Sequence, residues 1–479
     1  MSAEPEARPV RFGRLQSKGF LLGLSGLRVA VLATAVLLLV PALFFGGAAG
    51  LVLVLPLVAL LAASAYVPVA GRPVVEWLPV AAHWGLRLAL KQNVYGVRPL
   101  RPRPAGTLAL PGDAAALRVH VDEATGAAMI HDPHRRTLTA TAVISHPAFV
   151  LLGPSEQDRR VASWGRVLAS LAGTEQIATV QVLEATIPDT GAEVAAFWDA
   201  HAGDRGCWAA RAYEQLIAQA APASSRHRTT ISISLDLRRA ARAVRRQGRG
   251  VAGAAAVLRQ DMQTLAAALR AADLKVTGWL GPDELARLLR QAYDPDAAVA
   301  GTAAGDLATA GPVGVAEHWD HFVSDDHAHT AVLWVNEWPR SEAHPNFLHG
   351  LILKAGIRKT FSLVAHPVPG RDAIRAIRRQ KVDYITDADQ KARIGQLQDF
   401  SDSQEYQDLL QRERELAAGH TDMLFAGFLA VTAGSKDDLD AAVAEVQRAA
   451  IQCGCETRRL VGQQSQAFGA AALPLGRGL

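Results

Sequence analysis

Cysteine is scarce: Cys207, Cys453 and Cys455 are the three in 479 residues. So few exclude a disulfide framework and a thiolate zinc set, and they fit a reducing compartment. Cys453 and Cys455 are spaced one residue short of a redox pair and read as small residues at a helix end. Signatures of catalysis are missing as well. The nearest approach to a phosphate-binding loop, Gly434-Ser435-Lys436, lacks the upstream glycine and the following Ser or Thr that would hold phosphate and Mg²⁺. The chain has no H-E-x-x-H, no G-x-S-x-G elbow and no G-x-G-x-x-G directly after a strand. Excess charge is small, +4, which argues against a nucleic-acid coat and for anionic lipid near the basic flanks. These absences predict a protein that is not an enzyme, with no catalytic residue and no cofactor.

Long apolar runs are present. Leu27–Phe45 carries a single charge, Arg28, at its edge, and Ala48–Val69 carries none. Each matches the roughly 20 residues a helix needs to cross a bilayer. Gly46-Gly47 suits a turn between them, and Pro41 and Pro56 are tolerable in membrane helices. Arg8, Arg11, Arg14, Lys18 and Arg28 precede the first run, and Arg72, Arg87, Lys91, Arg98, Arg101 and Arg103 follow the second. Basic residues on both sides predict both termini in the cytoplasm of a multi-pass bacterial inner-membrane protein. Two consecutive runs, a late start and no small-residue cleavage site exclude a signal peptide. Trp77, Leu78, Ala81, Trp84 and Leu88 share one face at helical spacing, so Val74–Leu90 reads as an interfacial helix. The proline-rich stretch Arg98–Pro111 reads as a stiff linker.

Beyond it, short strands alternate with amphipathic helices. Strands are predicted at Ala116–Val121, Ala127–His131, Leu138–Ile144, Ala178–Ala185, Thr229–Leu237, Ala331–Val335 and Thr360–Ala365. Helices are predicted at Ser155–Leu171 and Val251–Ala272, and a charged helical insertion at about 371–418 with a break near Asp399–Ser403. One internal similarity stands out. Strand 229–237, helix 251–272, strand 275–279 and helix 282–292 share their order with strand 423–432, helix 436–452, strand 456–460 and helix 463–472. The expected fold class is α+β: an N-terminal two-helix transmembrane hairpin, then cytoplasmic αβ domains with two ferredoxin-like β-α-β-α units and a helical insertion. The boundaries read as 1–26 basic N-terminus, 27–70 hairpin, 71–112 interfacial helix and linker, 113–300 first unit and 301–479 second unit.

The best metal candidates are His318, His321, His327 and His329, among Glu317, Asp320, Asp325 and Asp326. Zinc needs ligands that converge, whereas strand alternation sends successive residues to opposite faces. The stretch therefore reads as a polar strand-turn-strand with no metal. Arg238, Arg239, Arg242, Arg245, Arg246 and Arg249 form one cationic run, and Arg375, Arg378, Arg379 and Lys381 another. With little aromatic interleaving, they read as a solvated or protein-contacting face.

The C-terminal sequence carries a resemblance. Gly427–Thr432, Asp437-Asp438-Leu439 and the run AAVAEVQRAAIQCGCETRRLVGQQSQAFGAAALPLGR resemble the segment before the motor in conjugative type IV secretion ATPases. VLWVNEWPR at 332–340, 361–369, Trp164–Leu171 and Val180–Ile187 fit the same family's non-motor half. The N-terminal part, with Glu76-Trp77-Leu78, resembles the PrgI-type membrane proteins of conjugation systems, and the combination looks like an actinobacterial transfer-associated family. The chain stops three residues after Gly476. The resemblance implies a structural subunit docking a separately encoded hexameric ATPase through Leu473, Pro474, Leu475 and Gly476. Its partners would be that ATPase, other secretion-system membrane subunits and membrane lipids. It would be oligomeric, and nucleic acid would enter only as transported cargo. The chain also resembles EccE of type VII secretion, which begins with two spans followed by an αβ domain; Arg245–Ala256 is compatible with it. A third reading is a membrane-bound metal-dependent hydrolase using the histidine stretch.

Overall fold

The computed structural model describes residues 25–69, 72–98, 100, 104, 106–108, 110–146, 149–188, 192–220, 225–294, 307–339, 343–393, 400–417 and 421–478. It divides into two compact units, one built on Arg14–Asn93 and the other on Val94–Leu460 with Gln464–Leu479.

In the first unit one long apolar helical element, α1 (Gly26–Tyr66), occupies the stretch where two separate helices are predicted. Among the described residues it is the one helix long and apolar enough to cross a membrane. The expected two separate helices are thus corrected to one helical element, Gly26–Tyr66, with a kink inside it. Within it Gly47 alone leaves helical dihedrals, at φ 53° and ψ −143°, a conformation that a side chain would resist. A two-residue ribbon, β1 (Pro68–Val69) and β2 (Arg72–Pro73), leads into α2 (Val74–Ala89). Glu76 in the first turn of α2 accepts from Ser25 Oγ at 2.9 Å and from Arg28 Nε at 3.1 Å.

The second unit is a 13-stranded antiparallel sheet with helices on both faces. Its strands are β3 (Val94–Gly96), β4 (Arg118–Val121), β5 (Ala128–Asp132), β6 (Thr137–Ser145), β7 (Ile177–Pro188), β8 (Ser225–Asp236), β9 (Lys275–Trp279), β10 (Gly314–Glu317), β11 (Phe322–Ser324), β12 (Ala328–Glu337), β13 (Lys359–Val368), β14 (Asp422–Ala433) and β15 (Glu456–Arg459). The spatial order is β3-β10-β11-β12-β14-β13-β7-β8-β6-β5-β4, with β9 on β6 and β15 on β12. Its helices are α3 (Pro154–Gly173), α4 (Ala192–His201), α5 (Trp208–Ala220), α6 (Ala241–Arg246), α7 (Gly250–Ala271), α8 (Pro282–Tyr293), α9 (His349–Ile352), α10 (Gly370–Arg393), α11 (Phe400–Ala417), α12 (Lys436–Gln452) and α13 (Gln464–Ala471).

The repeated order has a physical basis. β8 and β9 both pair antiparallel with β6, so they run parallel with β6 between them, and α7 makes the crossover. β14 and β15 flank β12 in the same way, with α12 crossing. Each is a split β-α-β. The two expected units are not separate bodies, since β7 pairs with β13 from Val180↔Ala365 to Thr186↔Lys359 and makes one sheet of them. Each half also inserts a helical pair between corresponding strands, α4–α5 after β7 and α10–α11 after β13. In the second insertion, Tyr384 stacks on Tyr406 at 4.7 Å and Lys381 pairs with Glu413. The break is expected near Asp399–Ser403; residue 399 lies outside the described residues, and residues 400–403 are already helical in α11.

Both faces of the sheet are buried. Ile231, Ile233 and Leu235 of β8 join Leu138, Leu258, Leu265 and Leu269 in a core under α3 and α7. Leu429 and Val431 join Leu439, Val443 and Val446 under α12. The opposite face is covered by α8 and α13, through Leu285, Leu289, Phe468 and Leu473. Each such aliphatic side chain contributes about 1.5–3 kcal/mol by leaving water.

Candidate functional site

The histidine stretch folds as the hairpin of β10 and β11 running into β12. It brings three of the four candidates together: the His318 and His321 rings stack at 4.5 Å, and those of His321 and His329 at 5.7 Å. Stacked imidazoles present faces to one another, whereas a metal needs their in-plane nitrogens to converge. His327 is drawn elsewhere, with Nε2 3.2 Å from Asp294 and Nδ1 2.8 Å from the Asp325 carbonyl. Among the described residues no group of three or more His, Cys, Asp or Glu is arranged to hold a metal ion.

What the stretch builds instead is an ion cluster. Asp320 accepts from Lys436 Nζ at 3.1 Å and from Arg459 Nη1 at 2.9 Å, and lies 2.8 Å from His321 Nδ1. Asp440 accepts from the same Lys436 and Arg459. Burial opposes ionisation of Asp320, but the bonds from His321 and Lys436 outweigh it and hold its carboxyl at about 2. Two carboxylates balance two cations, so the cluster pins the start of α12 to the hairpin and to β15. It also accounts for Lys436, whose ammonium is committed to carboxylates.

Leu473, Pro474, Leu475 and Gly476 are buried. They cross the serine- and threonine-bearing face of the sheet. Gln181, fully buried on β7, donates through Nε2 to the carbonyls of Ala470 at 3.0 Å and Leu473 at 3.1 Å and to Ser362 Oγ at 3.0 Å. Its Oε1 accepts from Gly476 N at 2.8 Å. Thr141 donates to the Pro474 carbonyl at 2.9 Å, and Arg477 closes the run on Asp132, with Nη2 at 2.7 Å. Gly476 has φ +61°, and a Cβ there would lie 2.2 Å from Ser234 Oγ. The four residues therefore serve the chain's own core, and they could dock another protein only after leaving this seat.

Sequence reasoning missed Gln181 and the string Gly248-Arg249-Gly250-Val251-Ala252-Gly253, which has G-x-G-x-x-G spacing. The string follows α6 rather than a strand, and its glycines serve a turn: Gly248 and Gly250 have φ +109° and +61°. Gly253 lets α7 approach α6, since a Cβ would lie 2.7 Å from the Val244 carbonyl oxygen. Arg238, Arg239, Arg242, Arg245, Arg246 and Arg249 are all exposed. Burial pushes the Cys455 thiol up to about 12, so it is no nucleophile.

These features define a class: a chain with an N-terminal apolar helix long enough for a membrane and a large antiparallel α+β body. Residues 223–334 match the family model described as the type VII ESX secretion system translocon EccE. No curated protein matches the chain. The match overturns the type IV, conjugation-type reading and its PrgI-type membrane part. The residues behind that reading are packing residues: Leu473 and Leu475 fill the core beside Phe468. Trp338 covers Gly427, where a Cβ would meet its ring at 2.8 Å. Glu76 is engaged with Ser25 and Arg28. Such choices recur wherever a sheet is closed by a helix and a tail.

Proposed function

We propose that the chain is an EccE-like membrane component of a type VII secretion system, which anchors a large αβ body at the membrane and acts by binding other subunits rather than by chemistry. The observation that carries this reading is the match over 223–334, which runs from β8 through α7, β9, α8, β10 and β11 into β12. The apolar α1 and the tryptophan-bearing α2 support the anchoring role, and the saturated ion cluster at Asp320 supports a structural rather than catalytic body. Its partners in this reading are other ESX subunits, a secretion ATPase of that system among them, and membrane lipids; the complex is oligomeric.

In the same reading α1 crosses the bilayer as two arms that reverse at Gly47, leaving both termini cytoplasmic. A straight 41-residue helix would be about 60 Å long. The ten residues from Val67 to Glu76 span at most ~35 Å even when fully extended. Yet Glu76 bonds Ser25 and Arg28 at the other end of α1, and a Cβ on Gly50 would lie 2.5 Å from the Ala42 carbonyl oxygen.

Affinity purification in mild detergent from cells expressing the complete secretion locus tests the function. Recovery of other ESX subunits is expected, and recovery of the chain alone, under conditions that keep those subunits together, overturns it. Labelling a single cysteine placed at Phe45, in a background lacking Cys207, Cys453 and Cys455, tests the arms. A membrane-impermeant maleimide should reach it from the extracytoplasmic side of intact cells, and labelling only after lysis rejects the two-arm topology.

A further inference from the structure

Arginine gathers on one surface of the αβ body, where β8 runs through α6 into α7. Ala240, Ala243 and Val244 pack into the core beneath α7, while Arg242, Arg245 and Arg246 are exposed. Arg238 and Arg249 are exposed at the two ends of the same stretch. The Leu237 amide donates to the Arg136 carbonyl, which brings a further exposed arginine alongside from the β5–β6 turn. Countercharge is scarce. Asp236 pairs with Arg239 at 3.4 Å, and its other oxygen accepts from the amides of Arg238 and Arg239. Among the described residues, Arg136, Arg238, Arg242, Arg245, Arg246 and Arg249 make no ion pair. The helix that follows adds to the field. α7 opens here with no side-chain cap and no acidic residue in its first turn, so the positive end of its dipole stands beside the guanidiniums. Its N-cap is Arg249, at φ 66° and ψ 171°, a region that is nearly glycine's alone. Glycine flanks it on both sides, yet the residue in that conformation is a charged one.

Like charges this dense repel one another, and an anionic surface relieves the repulsion. No aromatic residue lies between Asp236 and Gly253, so the surface has no platform on which bases would stack. An array of phosphates suits it better, since clusters of roughly four to eight basic side chains are drawn to anionic headgroups at the cytoplasmic face of a membrane. A chain that carries α1 keeps such a face within reach at high effective concentration. We propose that the surface from Arg238 to Arg249 docks on the anionic phospholipid headgroups of the membrane in which α1 is anchored, its exposed guanidiniums contacting lipid phosphates. The inference rests on the anchoring reading with a cytoplasmic body, and deepens it by giving that body a lipid contact of its own.

The test reconstitutes the full-length protein in lipid nanodiscs of phosphatidylcholine alone or with about a third phosphatidylglycerol, with a rhodamine headgroup acceptor in both. A donor fluorophore is attached through Q247C, at an exposed position inside the run, in a background lacking Cys207, Cys453 and Cys455. Energy transfer to the headgroups is expected to rise about twofold or more in the anionic discs and to fall back at high salt. R242Q/R245Q/R246Q removes exposed, unpaired charges, so the fold is kept, and it should abolish the rise. R242K/R245K/R246K keeps the charge and should retain most of it, because attraction to headgroups is Coulombic. Equal transfer in the two lipids overturns the proposal, as does a rise that survives the glutamine substitutions or one that the lysine substitutions remove. Loss of a co-purified subunit from the glutamine variant, with no dependence on lipid charge, assigns the surface to an acidic protein face and overturns the proposal too. A chain that does not enter the discs rejects the anchoring reading and takes the proposal with it, whereas entry without charge dependence rejects the proposal alone.

Discussion

Gln181 offers the sharpest check on how the body is closed. Its amide, fully buried, shares its two N–H hydrogens among three acceptors within 3.1 Å and accepts one bond at its oxygen. A buried bond contributes about 1 kcal/mol net, and a group left unpaired costs about 1–3 kcal/mol. Not every partner is orphaned by substitution. The Ala470 carbonyl keeps Ser362 Oγ at 2.7 Å, and the Leu473 carbonyl keeps the Leu475 amide at 2.8 Å. The Gly476 N–H is the group that loses its partner. Gln181→Met, which preserves volume, is therefore expected to cost about 2–3 kcal/mol, and Gln181→Ala about 3–5 kcal/mol with the added cavity. Gln181→Glu should be worse than Met, because one carboxylate oxygen must face two carbonyl oxygens. Urea unfolding of the detergent-purified protein gives the ordering. Brief trypsin treatment read by intact mass gives the location, since a loosened run exposes Arg477 to cleavage. If Gln181→Met costs less than about 0.5 kcal/mol and trimming at Arg477 is unchanged, the C-terminal run is not held as described.

Three further outcomes can be checked. Burial raises Asp261 to about 6 from an ordinary 3.8, and its Oδ2 has no partner among the described residues. Between about pH 4 and 6 the folded chain keeps a proton that the unfolded chain has lost, so stability falls as pH rises through that window and is level above it. Asp261→Asn should remove this slope and, allowing for partial exposure, add about 1–2 kcal/mol at pH 7.5, seen as a raised denaturation midpoint. Gly476→Ala should cost about 2–4 kcal/mol from its left-handed φ and the Ser234 contact, with part regained when Ser234→Ala is added. Arg259 grips the buried Asp122 at 2.6 and 3.0 Å; Arg259→Gln should lower the thermal unfolding midpoint, and the double change with Asp122→Asn should lower it less.

Much of the body was legible because its elements are strongly periodic. The bounds of β9 and α12 are those expected, and the repeated β-α-β-α order exists as two split crossovers. Alternation in Thr229–Leu237 located β8 but could not reveal its surroundings. A polar face ordinarily meets water, whereas Thr230, Ser232 and Ser234 are buried under the C-terminal run. The same alternation hid Gln181, flanked by Val180 and Val182 in a strand that looks half-exposed. No local signal tells a strand that a segment nearly 300 residues later will cover it. The pair α4–α5 escaped because its apolar side chains, such as Phe197 and Trp208, stay largely exposed and leave no buried stripe to detect. The histidines show how little spacing alone says about convergence. His327 and His329 are close in sequence, yet one turns to Asp294 and the other to the His321 ring.

The matched segment, 223–334, cuts across the sheet it sits in. It begins two residues before β8 and ends inside β12. It therefore takes the later part of the first half and the opening of the second, and it coincides with neither. β8 is paired along its length with β7 on one side and β6 on the other, and both lie outside the segment. β12 is paired with β14 and β15, which also lie outside. Strands with unpaired edges and an uncovered apolar face are not stable alone, and α7 packs on β6 as well as β8. The segment is thus a stretch of a larger fold rather than a module of its own. A chain that uses these residues in this arrangement has to supply strands equivalent to β6, β7 and β14 from elsewhere in its sequence.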